Sequence, residues 1–340
     1  MNQRLKERLQ SVGKWILYPA FFVVSFLLFV SWTFPYDKLK ERLVSTFNAQ
    51  QRASSSQQEL HVDELDSSFL TGVKATGVRL AMPPLEPGKP PVELKLDEVR
   101  ARVSVLSLLV GNKDITFKIK GFDGTIEGEF VEKSKERLIK VELDGVDVGK
   151  IEMLSQALGV PMEGRLFGQV DLRLPEGKAS KGSGTVNLEI RDLAVGDGKA
   201  KIKGLLELPK LTVGALKFDA EAKEGILKVS KLAAGGKDVE LSGEGRIQMR
   251  ELANDSNLDM SVKFKVNDGY RGKNDKTKSL FGAPGSSIPP LFELDPTVKR
   301  AKTPDGLYAF QVRGQLGKPQ FLPAAGISSP AMAAPKGLGQ

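Results

Sequence analysis

One stretch constrains this chain more than any other: the run from Trp15 to Tyr36 contains no Asp, Glu, Lys, Arg or His. As a helix this run would rise about 33 Å, which is enough to cross a hydrocarbon core of about 30 Å. Trp15 and Tyr18 at one end, and Trp32 and Tyr36 at the other, are typical of the two headgroup levels of a bilayer. A buried core helix rarely stays apolar on every face over such a length. The sequence therefore predicts a transmembrane helix over residues 15–36.

The charges that flank this run predict its orientation. Basic residues precede it, and they are Arg4, Lys6, Arg8 and Lys14. By the positive-inside rule, we expect the leader of residues 1–14 to lie in the cytoplasm. The far end of the run is bulky and offers no small-residue cleavage site, which indicates an uncleaved anchor. Residues 37–58 predict a juxtamembrane helix and a linker, and the rest of the chain then lies beyond the membrane.

Beyond the linker, the hydrophobic pattern has the period of β-strands. Strand-like segments are separated by turn residues at intervals of about ten to twelve, which is the spacing of an antiparallel meander. One short helix is predicted in the middle, over residues 148–158, and a long polar loop over residues 267–290. The predicted fold is mainly β: a single N-terminal transmembrane helix followed by a long, curved antiparallel sheet over residues 59–322. Residues 323–340 are predicted to form a disordered tail.

Two of the predicted strands have the clearest apolar faces. Alternation places these side chains on one side of their strand: Ile115, Phe117 and Ile119 in the first, and Leu258, Met260, Val262, Phe264 and Val266 in the second. Such faces must be covered by a second sheet, by curling of the sheet, or by a ligand. Two possibilities therefore stay open. These residues either pack together as a closed sandwich core, or line an open apolar trough that accepts phospholipid acyl chains.

The basic balance of the chain does not predict a nucleic-acid partner. The net charge is +8 and the sequence pI is about 9.4. However, Lys and Arg alternate with acidic residues along the predicted strands, as on a solvated sheet face. Aromatic residues, on which single strands would stack, make up only 7% of the chain.

Catalytic and metal-binding patterns are missing from the sequence. There is no Cys, and His61 is the one histidine, which excludes thiolate nucleophiles and any site built on two histidines. No nucleophile elbow and no phosphate-binding glycine loop occurs. We therefore predict a protein that is not an enzyme and needs no metal or cofactor, with His61 as a surface or packing residue.

Three stretches resemble a known group of proteins. Residues 96–130 read LDEVRARVSVLSLLVGNKDITFKIKGFDGTIEGEF, and residues 146–174 read VDVGKIEMLSQALGVPMEGRLFGQVDLRL. Both resemble units of the AsmA-like group, in the second case through Gly159, Pro161, Gly164 and Gly168. Residues 291–323, LFELDPTVKRAKTPDGLYAFQVRGQLGKPQFLP, resemble the closing segment of the protein N family of the type II secretion system, in its delta-proteobacterial form.

The resemblance implies an inner-membrane protein with a periplasmic β domain that is accessory to type II secretion. The AsmA-like likeness implies a curled sheet with an apolar trough. Two hypotheses follow. The domain is either a structural subunit held by contacts with other secretion subunits, or a lipid-binding or lipid-transfer module of the cell envelope, and the two can coexist.

Overall fold

The protein is described from a computed structural model. It describes residues 17–19, 21–26, 28–29, 32–53, 58–68, 71–83, 91–199, 201–202 and 206–324. The strands are β1 (Glu59–Ser68), β2 (Gly72–Met82), β3 (Val92–Val103), β4 (Lys113–Gly121), β5 (Gly124–Lys133), β6 (Glu136–Asp147), β7 (Met162–Pro175), β8 (Ser183–Val195), β9 (Lys201–Ile202), β10 (Leu206–Glu207), β11 (Leu211–Lys223), β12 (Ile226–Gly235), β13 (Val239–Gln248), β14 (Asn257–Val266), β15 (Tyr308–Gln315) and β16 (Lys318–Pro323). The α-helices that follow the first apolar segment are α1 (Tyr36–Ala53), α2 (Val105–Leu109), α3 (Glu152–Leu158), α4 (Asp268–Arg271), α5 (Asp275–Phe281) and α6 (Pro296–Ala301).

Fourteen of the strands form one open antiparallel sheet, which confirms the mainly β prediction. Each strand lies beside the next one along the chain, except that β8 pairs with β11. Strands β9 and β10, which lie between β8 and β11 in the chain, are not part of this sheet and pair with each other. This meander follows from the short turns between strands, because antiparallel neighbours can be joined by as few as two residues.

The period-two pattern gives the sheet two different faces. Residues paired across antiparallel strands point to the same side, so the registers define rows that run across the sheet. One row runs Phe117, Gly128, Val141, Val170, Val186, Ala220, Val229, Gly245, Met260 and Val312. We call this side the apolar face. The adjacent positions on the same strands point to the other side, the charged face, where Lys118 pairs with Glu127.

The sheet curls around its apolar face between β7 and β13. These two strands are separated by three others, yet Leu174 of β7 and Met249, the residue that follows β13, both lie beside Gly182. A Cβ atom placed on Gly182 would lie 2.6 Å from Met249 Cε and 2.9 Å from Leu174 Cδ2. Both side chains therefore lie directly against Gly182. The apolar face is therefore on the inside of the curl, and it packs into a core around Ala220, Val229 and Met260.

The connection between β14 and β15 covers the apolar face at the C-terminal end of the sheet. Phe264 of β14 stacks on Tyr308 with ring centroids 5.3 Å apart, and Phe292 meets Tyr308 edge-on at 5.3 Å. Tyr270, which is fully buried, donates a hydrogen bond to the carbonyl oxygen of Pro209 at 2.5 Å. These aromatic contacts hold the connection against the sheet.

Three sequence-based predictions differ from this structure. The predicted polar loop over residues 267–290 contains α4 and α5, because Asn274 caps α5 in a capping box with Thr277. The single helix predicted within the sheet domain, over residues 148–158, is not the only one, since α2 and the helices after β14 are also present. A further strand, β16, follows the predicted last strand, because the turn at Gly317 returns the chain to β15.

The predicted membrane segment lies partly outside the described residues. Residues 1–16, 20, 27, 30 and 31 fall there, as do 325–340 of the predicted tail. Within the part of the chain that the structure describes, no helix is long and apolar enough to span a membrane. Leu17, Phe21 and Phe22 are helical and strongly exposed, and α1 begins after the non-helical Phe34–Pro35.

Helix α1 lies along the free edge of β1. Asn48 uses both ends of its side-chain amide on one residue: Nδ2 donates to the carbonyl oxygen of Leu60 at 3.2 Å, and Oδ1 accepts from its N–H at 2.8 Å. Lys40 Nζ donates to the carbonyl oxygen of Asp63 at 2.9 Å. These contacts occupy backbone groups that an edge strand otherwise leaves open to a further strand.

We expect Asn48→Ala to lower the free energy of unfolding by about 1–2 kcal/mol, because it leaves two partly buried backbone groups of Leu60 without their partner. Urea unfolding of the full chain in detergent, followed by circular dichroism, measures the change. Gln50→Ala is the matched control on the same helix, since Gln50 is exposed. Equal stability of the two variants would contradict this function of Asn48.

Candidate lipid-binding face

All eight residues predicted from the two apolar strands lie on the same face of one sheet. The row of cross-strand partners that starts at Ile115 on β4 ends at Leu258 on β14, and the row that starts at Ile119 ends at Val262. The row of Phe117 leads to Met260. Phe264 and Val266 continue the face along β14. These residues therefore do not face each other from two sheets, as a sandwich would require, because β4 and β14 belong to a single sheet.

The two groups differ in how far they are covered. Leu258, Met260 and Val266 are buried in the packed clusters of the C-terminal half, and Val262 and Phe264 are half-buried. Ile115, Phe117 and Ile119 are all only half-buried. The same holds for every apolar-face residue of the intervening positions on β3, β5 and β6, which are Val99, Ala101, Val103, Ile126, Phe130, Ile139, Val141 and Leu143.

The apolar face is thus closed at one end of the sheet and open at the other. On the Phe117 row, Val229 retains 1% of its accessible surface and Met260 retains 7%. On β3–β6 the positions paired with Ile115, Phe117 and Ile119 stay half-buried. Beyond them the sheet is covered, because α3 contacts β3 and Val92 and Val146 each retain 1% of their accessible surface. We use the name open trough for the half-buried part of the face, at the positions of β3–β6 in register with Ile115, Phe117 and Ile119.

Glycine shapes the floor of the open trough. Gly128 of β5 is paired with Phe117, whose ring lies directly over it. A Cβ atom at Gly128 would come within 2.4 Å of Phe117 Cζ and 2.6 Å of the carbonyl oxygen of Lys140. The glycine therefore lets the aromatic ring lie low on the sheet, which keeps the surface smooth and apolar.

A groove of about 560 Å³ lies on the apolar face near its closed end. Its apolar walls come from Val262 and Phe264 on the sheet and from Phe292 and Val298 on the covering connection, and exposed Phe321 lies at its edge. This volume is within the usual range of small-molecule sites, about 300–1,000 Å³. Sequence reasoning identified Val262 and Phe264 here. It missed the other wall, because residues from the connection and from β16 have no alternating pattern.

An ion-paired cluster fixes the covering connection to the sheet. Glu293 accepts hydrogen bonds from Lys302 Nζ at 2.6 Å and from the Tyr308 hydroxyl at 2.8 Å. Burial raises the pKa of this carboxyl, but the bonds from Lys302 and Tyr308 outweigh it and leave the pKa below its usual value. Burial, and then the bond to Glu293, raise the pKa of Tyr308. Both groups therefore keep their charge states at neutral pH and hold the groove wall in place.

The charged face is held by ion pairs within the sheet. Glu98 of β3 is the best example: Lys74, Arg100 and Lys120 surround it, at 3.3, 2.9 and 3.6 Å. Burial raises the pKa of Glu98, but the hydrogen bonds from Lys74 and Arg100 lower it by more than burial raises it. The pKa therefore lies below its usual value, and the carboxyl stays ionised at neutral pH. A groove of about 580 Å³ between these rows of side chains is lined by both signs of charge. This arrangement is that of a solvated sheet face, as the alternation of basic and acidic residues along the strands predicts.

Acidic side chains and His61 form no metal-binding group in the part of the chain that the structure describes. Across the described ranges, no three His, Cys, Asp or Glu side chains are placed to hold a metal ion. His61 lies on β1 with more than half of its side chain exposed, and its nearest acidic partner is Glu59, at 3.8 Å. The feature that stands out chemically is the apolar face.

Comparison with known proteins adds no assignment. No protein family matches the chain, and neither do the curated proteins or the solved structures with which it was compared.

Proposed function

We propose that this protein is a non-enzymatic, membrane-anchored protein of the cell envelope whose curled sheet binds phospholipid acyl chains on its apolar face. One observation carries the proposal: the apolar face is only half-buried at the Ile115–Ile119 positions of β3–β6 and continues into a closed core over β11–β15. Large contiguous apolar surfaces are rare on soluble monomers and mark sites that bind a partner, a ligand or a membrane. An extended acyl chain fits a face that is smooth, apolar and elongated across several strands.

The second candidate function is an accessory subunit of a type II secretion system in the inner membrane. It rests on the resemblance of residues 96–130, 146–174 and 291–323. Gly159, Gly164 and Gly168 of the second stretch all have positive φ angles, at 70°, 147° and 155°. A positive φ angle favours glycine, so the three glycines on which the resemblance rests are also required by the backbone conformation at these positions. The two functions are compatible, since a secretion subunit can hold lipid.

Secretion assays separate the two candidates. Deleting the protein should reduce export of type II substrates if it is a secretion subunit, and returning the wild-type chain should restore export. If Ile119→Asp also restores export in full, lipid on the open trough is not needed for secretion. If deletion leaves export unchanged while the purified chain still carries phospholipid, the lipid-binding function stands and the secretion function falls.

We expect residues 1–14 to be cytoplasmic and the sheet to be periplasmic in an inner membrane, with the predicted span of residues 15–36 between them. The chain contains no cysteine, so a single introduced thiol reports one position. Gln50→Cys, on an exposed position of α1, should react with a membrane-impermeant thiol reagent in intact spheroplasts. Asn2→Cys should react only after the membrane is broken. The reverse pattern would overturn this orientation.

A further inference from the structure

The connections between strands lie at two ends of the sheet, and one of these ends is where α1 begins. Three contacts place α1 beside β1: Arg52 meets Glu59, Asn48 meets Leu60, and Lys40 reaches Asp63. Residue numbers fall along the helix as they rise along the strand, so the two run antiparallel. The start of α1 therefore lies toward Ser68, where β1 ends. We call this end of the sheet the near rim, and the opposite end the far rim.

The near rim carries an exposed apolar projection close to the start of α1. The connection of residues 104–112 joins β3 to β4, about 10–14 Å along the sheet from β1. Leu106 and Leu109 are each 78% exposed, and Val110 is 73% exposed. No residue of α2, which forms most of this projection, is buried.

The projection is held rigidly by polar groups. Ser104 caps α2, and its N–H donates to the carbonyl oxygen of Asp114 at 2.9 Å. Ser107 donates from its hydroxyl to Asp114 Oδ2 at 3.2 Å, and its carbonyl oxygen accepts from the N–H of Asn112 at 2.9 Å. These hydrogen bonds fix the turn internally, while the side chains of Leu106 and Leu109 are exposed. Such a built framework presents apolar groups to something outside the sheet.

The apolar segment that precedes α1 indicates which partner the projection meets at the near rim. Leu17, Phe21, Phe22 and Phe29 belong to helical residues of that segment and are strongly exposed, and the chain passes from them into α1 at the near rim. We propose that the projection of residues 104–112 inserts into the surface of the same phospholipid membrane that holds the anchor. This inference rests on the anchor of the proposed function. It would set the sheet upright, with the open trough on β3–β6 beginning at the membrane surface.

The absence of cysteine makes a direct test possible with the full chain in vesicles of phosphatidylethanolamine and phosphatidylglycerol. A fluorophore is attached at Leu109→Cys on the projection, at Met153→Cys on the far rim, or at Phe26→Cys in the apolar segment. Met153 is the matched control because it is an exposed apolar residue, at 36%, on α3, which joins β6 to β7 at the far rim. Lipids with a nitroxide on the acyl chain then quench any fluorophore that lies in the bilayer.

We expect nitroxide lipids to quench the fluorophore at position 109 at least threefold more than the one at 153, and to quench the one at 26 most. Quenching at 26 without quenching at 109 would overturn the membrane contact and leave the anchor standing. No quenching at 26 would instead remove the anchor on which the proposal rests. Equal quenching at 109 and 153 would mean that the sheet lies flat on the membrane, which also contradicts the upright arrangement.

Discussion

Replacing Val229 by Asp is expected to unfold the sheet. Val229 lies at the centre of the closed part of the apolar face, retains 1% of its accessible surface, and is paired with Ala220 on β11. A carboxylate there has no partner and no access to water, so we expect a loss of about 3–5 kcal/mol, against a total stability of about 5–15 kcal/mol for an ordinary domain. Urea unfolding of the full chain in detergent measures the loss.

Lys228→Asp is the matched control for this substitution. It introduces the same acid one residue earlier on β12, where the side chain is exposed on the charged face between Arg246 and Glu221. We expect its stability to stay within about 1 kcal/mol of the wild type. A Val229→Asp protein as stable as Lys228→Asp would show that water reaches the apolar face even between β11 and β15, and that the core there is not closed.

Replacing Ile119 by Asp is expected to have the opposite outcome: the sheet stays folded and the bound lipid is lost. Ile119 is on the same apolar face, but in the open trough, where it is only half-buried. Water can reach the new carboxylate, so the loss of stability should be about 1–2 kcal/mol. A charge on the floor of the trough must however be desolvated when an acyl chain lies over it, which opposes binding.

Mass spectrometry of phospholipid that co-purifies with the full chain measures this effect. We expect Ile119→Asp to retain less than a tenth of the wild-type lipid. Thr116→Asp, which adds the same charge to an exposed position on the other face of β4, should retain all of it. Equal lipid in the two variants would assign the lipid to the anchor segment rather than to the trough. An unfolded Ile119→Asp protein would show that the face on β4 is a closed core.

The general fold could be predicted because the sequence repeats one local rule. Alternation in β4 and β14 placed Ile115 to Ile119 and Leu258 to Val266 on one side of each strand, and the registers confirm it. The order of the strands followed from the short turns between them. Alternation does not show, however, whether the two faces meet across a sandwich or share one sheet, since both arrangements use the same pattern.

The closed and open parts of the apolar face could not be distinguished in the sequence. The difference depends on the curl of the sheet at Gly182 and on the aromatic contacts of Phe292 and Tyr308, which join residues far apart in the chain. The edge contact of Asn48 is of the same kind, because a polar residue in an amphipathic helix has many alternative partners in a sequence. In the sequence, the apolar run of residues 103–110 is compatible with either a turn of helix or a buried strand, and its periodicity does not show that Leu106 and Leu109 are exposed.

The central claim is that phospholipid lies on the open trough of β3–β6, and cross-linking in living cells tests it most directly. The photoreactive residue p-benzoylphenylalanine is placed at position 117 or at 118, two neighbours on opposite faces of β4. After illumination, mass spectrometry of the purified chain should find a phospholipid adduct when the probe replaces Phe117, and none when it replaces Lys118. Absence of an adduct at 117, or equal adducts at the two positions, would contradict the account.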